Sequence, residues 1–225
     1  MTYFDNHVLN ELLEKKLFIF DMNGLITDDE GIQVASTNLA LKSYDVVVSE
    51  KEWKEYVGHK AEETFARIVK KHNLPLDHQE LLERKNKHYE EIVREHCPVQ
   101  PGVLAFLEHL RGRRLCVATG TTQFEAAVIL RDCLDIHDLF EFVIDGSMIT
   151  YGKPDPQIYN NVLARAGVKP ESAVVFEDTE VGVRAAKAAG IDVVAVPNDF
   201  TKEQDFSGAT LVLKSLEKNA VIVER

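Results

Sequence analysis

The sequence has few cysteines and no long apolar run, and each shortage excludes a class of protein. Its 225 residues include three cysteines, Cys97, Cys116 and Cys133, which are far apart and form no CxxC pair. This favours reduced thiols in a cytoplasmic protein over a disulfide framework. No apolar run approaches the roughly 20 residues that cross a bilayer. The first 16 residues are too polar for a signal peptide, so we expect no membrane partner.

Basic residues are outnumbered by acidic ones. Lys and Arg total 26 against 37 Asp and Glu, which gives a formal net charge of -11. An acidic chain is poorly suited to bind nucleic acid or an anionic membrane surface. A small phosphorylated metabolite is compatible with this charge, because a local metal ion and one Lys can reverse the field at a single site. Hydrophobic residues make up 45% of the chain, enough to bury a sizeable core.

Short apolar runs alternate with amphipathic segments over most of the chain. Leu17–Phe20 is uniformly apolar and is followed at once by Asp21. Such a run is typical of a strand buried on both faces of a parallel sheet. Comparable runs, with helical stripes between them, recur at 115–118, 142–144, 173–176, 193–196 and 211–213. This alternation predicts an α/β protein with a Rossmann-like parallel sheet.

The stretch 31–97 interrupts this pattern. It is rich in Glu, Lys and His and contains no strong strand-like run. Its apolar residues recur at helical spacings, as at Phe65 and Ile68. A return segment with Pro and Gly then leads back to the alternating pattern. We therefore predict an α-helical cap domain at 31–97, inserted into a core formed by 1–30 and 98–225.

Polar side chains and one glycine lie just beyond the predicted strand ends. They are Asp21, Asn23, Thr119, Gly120, Lys153, Glu177 and Asp178. Because ligands bind beyond the carboxyl ends of parallel strands, we expect these residues to share one crevice. Clustered carboxylates repel one another unless a cation lies between them, and oxygen ligands favour Mg²⁺. A carboxylate nucleophile beside such an ion could accept a phosphoryl group.

Four motifs along the chain resemble those of the haloacid dehalogenase superfamily, specifically its phosphatase and beta-phosphoglucomutase-like branch. FDMNGLITD begins at Phe20, CVATGTT at Cys116, GKPDPQIY at Gly152 and VVFEDTEVGVRAAKAAG at Val174. The motifs keep the family's order and cover nearly the whole chain. The helical insert between the first and second motifs is similar to that family's small cap domain.

The resemblance implies a role for each motif residue. Asp21 would be the nucleophile that forms an aspartyl-phosphate, with Asn23 and Lys153 as the other catalytic positions. The implied ligands of Mg²⁺ are Asp21, Asn23, Glu177 and Asp178. The implied phosphate-binding residues are Thr119, Gly120 and Lys153. The substrate-facing loop of the cap would contribute His59 and Lys60 to substrate binding.

Asn23 departs from the family pattern, because phosphatases of this family usually carry Asp two positions after the nucleophile. That Asp protonates the leaving oxygen and then activates water, which an amide cannot do. Its loss typically costs roughly 100- to 10,000-fold in rate. Three explanations stay open: an Asp→Asn change introduced to trap a complex, a weak or specialised natural phosphatase, or a protein that binds a phosphorylated ligand without turnover.

Two further departures concern the mutase alternative. In the mutase the cap loop carries an Arg that grips a distal phosphate, and this chain has Ala61 there. Gln33 stands near the place of a mutase His. We therefore expect a Mg²⁺-dependent phosphatase of a small phosphate ester, such as a sugar or polyol phosphate. The alternatives are a sugar-phosphate mutase and a non-catalytic phospho-ligand-binding module. We expect a monomer or a weak homodimer.

Overall fold

A computed structural model describes residues 7–218 of the chain. The ends of the predicted core, 1–6 and 219–225, lie outside the described residues. The strands are β1 (Leu17–Phe20), β2 (Arg114–Ala118), β3 (Phe142–Ile144), β4 (Ala173–Glu177), β5 (Asp192–Ala195) and β6 (Leu211–Val212). They form one sheet in the order β3-β2-β1-β4-β5-β6, and every pair is parallel. The predicted Rossmann-like α/β fold is confirmed.

Helices cover both faces of this sheet and one end of it. They are α1 (His7–Leu12), α2 (Glu30–Leu41), α3 (Glu50–Trp53), α4 (Ala61–Lys71), α5 (His78–Glu95), α6 (Val103–His109), α7 (Gln123–Ala127), α8 (Gln157–Ala166) and α9 (Glu180–Ala188). A π-helical segment, Val128–Cys133, continues α7. Within the described residues, no helix combines the length and the apolar character that a membrane span needs.

The side chains of β1 alternate between two apolar clusters on opposite faces of the sheet. Phe18 and Phe20 belong to the cluster that also contains Phe106, whereas Leu17 and Ile19 belong to the cluster on α8 and α9. All four β1 side chains are fully buried. A strand covered on both faces must be apolar at every position, which explains the uninterrupted run in the sequence.

A third apolar cluster lies within the helices α2 to α5 and includes Trp53, Phe65 and Leu81. Its separation from the sheet's two clusters agrees with the predicted helical cap. Tyr89 and Val93, near the end of α5, pack instead with the cluster around Phe20. The exact boundaries 31–97, 1–30 and 98–225 stay a prediction, since α5 contributes to both clusters.

Candidate active site

Asp21 and Lys153 meet at the carboxyl ends of the central strands. Asp21 directly follows β1, and Lys153 lies in the loop between β3 and α8. Lys153 Nζ donates to Asp21 Oδ1 at 2.5 Å and also donates to Glu177 Oε1. The Lys153 side chain is 2% exposed, so this ammonium group is shared by two carboxylates away from solvent. Two residues 132 positions apart in sequence are thereby brought into one buried ion pair.

Burial and charge shift the pKa values of these groups. Burial raises the pKa of Asp21 to about 7, with Lys153 opposing the rise and Glu177 adding to it. Burial also lowers the pKa of Lys153, but the neighbouring Asp21 and Glu177 outweigh this and hold it well above its usual value. We therefore regard Lys153 as a permanent cation that keeps part of the Asp21 population ionised.

Glu177, the last residue of β4, is turned back under the start of α9. Its Oε2 accepts the backbone N–H groups of Asp178 and Thr179 at 3.0 Å and the Thr179 hydroxyl at 2.9 Å. Its Oε1 accepts from Lys153 and from the Tyr159 hydroxyl. A Cβ atom at Gly182 would lie 1.9 Å from Oε1, so only glycine leaves room for this carboxylate. Both oxygens of Glu177 are therefore engaged within the protein.

Asp178 presents a free oxygen. It is fully buried, and its Oδ2 accepts from Asn198 Nδ2 at 2.8 Å. Its Oδ1 is buried without any hydrogen-bond partner among the described residues. Burial raises its pKa well above the usual range, and the nearby Glu177 and Asp21 carboxylates raise it further. A buried acceptor that has no partner and lies among anions is energetically unfavourable unless a cation binds it.

These residues fit a bound Mg²⁺ ion. Between residues 7 and 218, no three His, Cys, Asp or Glu side chains converge on a metal-sized site. Mg²⁺ does not require three, because it usually takes one or two carboxylates together with water and substrate phosphate. Asp21 and Asp178 supply two carboxylates, and the free Asp178 Oδ1 is the acceptor in need of a cation. Glu177 was predicted as a third, but its oxygens point to Lys153, Tyr159 and α9.

Thr119 and Gly120 follow β2 and lie beside Asp21 and Asn23. The Thr119 hydroxyl accepts from the Thr121 backbone N–H at 3.3 Å and lies 3.5 Å from Asn23 Oδ1. All four of Asp21, Asn23, Thr119 and Gly120 line one cavity between the strand ends and the helices. The predicted nucleophile and the predicted phosphate-binding residues are therefore brought together.

The opposite wall of this cavity comes from the helical layer and carries buried polar groups. Among its lining residues are Glu30, Gln33, Trp53, His59, Thr64 and Lys85. Glu30 Oε2 accepts from Trp53 Nε1 at 2.6 Å. Burial, reinforced by Asp29, raises the pKa of Glu30 to about 8 despite the Trp53 hydrogen bond. Glu30 is therefore mostly protonated at neutral pH.

The loop before α4 is joined to the core by hydrogen bonds beside the cavity. The Ala61 N–H donates to Gly120 O at 3.0 Å. Lys60 Nζ donates to Ile149 O at 2.9 Å and pairs with Glu62 at 2.8 Å. His59 lines the cavity as predicted, whereas the Lys60 ammonium is held by these groups and is not brought into it.

Several charged and polar residues in and around the cavity were not singled out from the sequence. Asp29, Glu30, Lys85 and Glu125 are charged yet buried, and Asn198 holds Asp178. Charged residues on helices are ordinarily solvated, so no pattern in the sequence distinguishes these from their exposed neighbours. A larger cavity lies between Gly24 and the 196–216 segment, but Asp21, Thr119 and Lys153 do not line it.

The haloacid dehalogenase-like hydrolase family model matches residues 18–196. The chain belongs to this family of hydrolases. A phosphorylated carbohydrates phosphatase from Thermotoga maritima is 35% identical over 180 residues, which cover 77% of this chain and 81% of that protein. A probable pseudouridine-5'-phosphatase from Drosophila melanogaster is 30% identical over 215 residues, 92% of this chain and 93% of that one.

A solved structure supports the same assignment. CbbY from Rhodobacter sphaeroides, crystallised in complex with phosphate, has a TM-score of 0.84 and 26% identity. The match covers 90% of this chain and 95% of CbbY. The predicted family and the predicted hydrolase class are confirmed: the protein is a phosphatase enzyme of the haloacid dehalogenase type.

Proposed function

We propose that the protein is a Mg²⁺-dependent phosphatase that hydrolyses small phosphate monoesters, of the sugar or polyol phosphate class, through an aspartyl-phosphate on Asp21. The observation that carries this proposal is the buried Asp21 carboxylate, with Lys153 at 2.5 Å and the unpaired Asp178 oxygen nearby. Nucleophile, fixed cation and a metal-accepting oxygen are the parts that phosphoryl transfer needs.

The reaction has two displacements. A carboxylate oxygen of Asp21 attacks phosphorus, and the bond from phosphorus to the alcohol oxygen breaks. Water then attacks phosphorus, the bond to Asp21 breaks, and inorganic phosphate leaves with the carboxylate restored. Lys153 stabilises the negative charge in both steps, and the Thr119 hydroxyl holds a phosphate oxygen. Bound Mg²⁺, held by Asp21, Asp178 and the Asn23 backbone carbonyl, would offset the repulsion between the carboxylate and the phosphate.

Asn23 limits this cycle because its carboxamide neither gives nor takes a proton near neutral pH. The leaving alcohol must therefore draw its proton from water in the cavity. Phosphate esters with acidic alcohols, which need less proton assistance, should be hydrolysed faster than sugar phosphates by about 100-fold or more. We assign Glu177 to hold Lys153, since its oxygens are directed there and toward α9.

The cavity wall favours a monophosphate. Its one Lys, Lys85, pairs with Glu125 at 2.9 Å, so within the described lining it offers no free ammonium to a second phosphate. Burial, with help from Arg67, lowers the pKa of His59, so its ring is neutral at physiological pH. Polar, uncharged contacts of this kind suit the hydroxyl groups of a sugar, and the Thermotoga relative is named for phosphorylated carbohydrates. A mutase must hold a bisphosphate, so the lack of a free ammonium in the described lining disfavours this alternative.

The test is phosphate release from a panel of sugar, polyol and aryl phosphates, with Mg²⁺ and with EDTA. We expect Mg²⁺-dependent hydrolysis that is lost in Asp21→Asn. Asp178→Asn should weaken Mg²⁺ binding, measured by calorimetry, at least about tenfold. The proposal would be contradicted if phosphate release were the same with EDTA as with Mg²⁺, or the same in Asp21→Asn as in wild type. Conversion of one sugar phosphate isomer into another without phosphate release would establish the mutase instead.

A further inference from the structure

The Asn23 carboxamide has two polar atoms with different surroundings. Its Nδ2 donates to Asp29 Oδ2 at 2.7 Å, and its Oδ1 faces the Thr119 hydroxyl across 3.5 Å. A carboxylate only accepts hydrogen bonds when ionised, so it selects the NH₂ end of the amide. The reversed amide would place two oxygens 2.7 Å apart in a partly buried site. Asp29 therefore determines that the carbonyl oxygen of Asn23 is the atom that faces the phosphate side.

Asp29 is itself held rigidly. It has no exposed surface, and Thr27 Oγ1 donates to its Oδ1 at 2.6 Å. Its Oδ2 accepts from Asn23, from Gln33 Nε2 at 3.1 Å and from the Tyr89 hydroxyl at 2.5 Å. Four donors from three separate segments fix both oxygens. Because both of its oxygens are hydrogen-bonded, the Asp29 carboxylate keeps one orientation toward the Asn23 amide.

The arrangement also explains why position 23 accommodates an amide. A carboxylate at position 23 would lie in contact with the buried Asp29 carboxylate. Two buried carboxylates at such a distance cannot both be ionised without a cation between them. The Asn23 amide avoids this conflict, because its NH₂ group donates to Asp29.

We propose that Asn23 and Asp29 act as one carboxamide–carboxylate unit, in which Asp29 is a positioning residue that aims the Asn23 carbonyl oxygen at the reacting phosphate. The inference rests on the proposed phosphatase activity. That oxygen accepts a hydrogen bond from the attacking water, or from the water that protonates the leaving oxygen, and orients that water without taking its proton.

The test is a double-mutant cycle of wild type, Asn23→Asp, Asp29→Asn and the exchanged pair, with phenyl phosphate and Mg²⁺. We expect Asp29→Asn to lower kcat at least about tenfold with KM within about twofold, because orientation is lost and binding is not. In the exchanged pair the amide at position 29 can again donate to the carboxylate at position 23, so its kcat should differ from the product of the two single effects by at least about tenfold. Asp28→Asn, the same change at the exposed neighbouring residue, should keep kcat within about twofold. Effects of the two single changes that multiply independently would overturn the inference.

A spectroscopic measurement keeps the test decisive if Asp29→Asn does not fold or if no variant is active. The Asn23 side-chain NH₂ signals, identified by their loss in Asn23→Asp, should show one strongly hydrogen-bonded proton in wild type. In Asp29→Ser, whose hydroxyl tolerates either end of the amide, that difference should vanish. Unchanged signals would overturn the pairing. Absence of hydrolysis by all four proteins contradicts the phosphatase proposal alone, and the NH₂ signals then decide the pairing by themselves.

Discussion

Two buried polar clusters meet at the cavity, and they differ in how completely their groups are paired. The strand-end cluster contains Asp21, Lys153, Glu177 and Asp178, and one of its oxygens has no hydrogen-bond partner among residues 7–218. The helix-side network contains Asp29, Gln33, Lys85, Tyr89 and Glu125, which are linked by hydrogen bonds of 2.5 to 3.1 Å. The first needs a ligand to pair all of its oxygens, whereas the members of the second pair with one another. Asn23 lies between them: it donates to Asp29 and lies two residues after Asp21.

The contrast distinguishes groups that take part in the reaction from groups that hold the site in one geometry. An unpaired acceptor and raised pKa values mark groups whose partners arrive with the substrate or a metal ion. A closed network of hydrogen bonds instead fixes one geometry, because a partly broken buried network is strongly unfavourable. The predictions below test whether substitutions in the two clusters differ in their effects on activity and on the free energy of unfolding.

The largest effect is expected for Lys153→Met. The change leaves Asp21 and Glu177 as neighbouring buried carboxylates without a cation, so the loss should be roughly 3–5 kcal/mol in the free energy of unfolding. Phosphatase activity should fall at least about 1000-fold. Denaturant unfolding and phosphate release measure the two effects. Lys169→Met, the same change at an exposed position after α8, is the control. A stable and active Lys153→Met variant would contradict the role assigned to the strand-end cluster.

Lys85→Met should break the helix-side network and so lower the free energy of unfolding. Lys85 and Glu125 are each 1% exposed and pair at 2.9 Å, so the lone Glu125 would be a buried, uncompensated carboxylate. We expect a loss of about 3 kcal/mol or more in unfolding free energy. Lys85→Met combined with Glu125→Leu should recover most of it. Lys87→Met, an exposed position on the same helix, should change stability by less than about 0.5 kcal/mol. No difference between the Lys85 and Lys87 variants would mean that the network is not a structural unit.

Glu30→Gln should remove a pH dependence of stability. Burial raises the pKa of folded Glu30 to about 8, above the value in the unfolded chain. Below the unfolded pKa both states hold the proton; between the two pKa values only the folded state keeps it, so stability falls as pH rises through that window. Wild type should lose roughly 2–4 kcal/mol from this group between about pH 5 and pH 8.

The Gln variant should lack that loss while still accepting from Trp53. Denaturant unfolding at both pH values measures it, and Glu83→Gln at an exposed position is the control. If wild type and Glu30→Gln lose stability in parallel over this range, Glu30 does not carry a raised pKa.

The smallest effects are expected at two helical glycines. A Cβ at Gly182 in α9 would collide with the Glu177 carboxylate, so Gly182→Ala should cost about 1–3 kcal/mol. Nothing lies within 4 Å of a Cβ at Gly31 in α2, so Gly31→Ala should stabilise by about 0.5–1 kcal/mol. Thermal unfolding compares the two variants. Shifts of the same sign would show that Glu177 is not packed against α9 as described.

The sequence predicted the strand-end cluster far better than the helix-side network. β1 is apolar throughout and β4 is apolar up to its last residue, Glu177, so the polar residues at these strand ends could be placed at one rim from the pattern alone. Asp29, Lys85 and Glu125 could not, because their burial depends on how α2, α5 and α7 pack. The orientation of Glu177 was also beyond the sequence, since it depends on space at Gly182. The metal and phosphate roles of the predicted residues stay proposals, as do the cytoplasmic location and the oligomeric state.

The contacts between the loop before α4 and the core bear on the speed of the enzyme. With Ala61 bonded to Gly120 and Lys60 to Ile149, this loop is tied to the core in the free protein. For a substrate that enters past the loop, the association rate constant equals the encounter rate constant multiplied by the fraction of time in which these bonds are broken. Release of phosphate by the same route waits on the same event. Along that route, opening of the loop sets an upper limit on turnover that no improvement at Asp21 would raise.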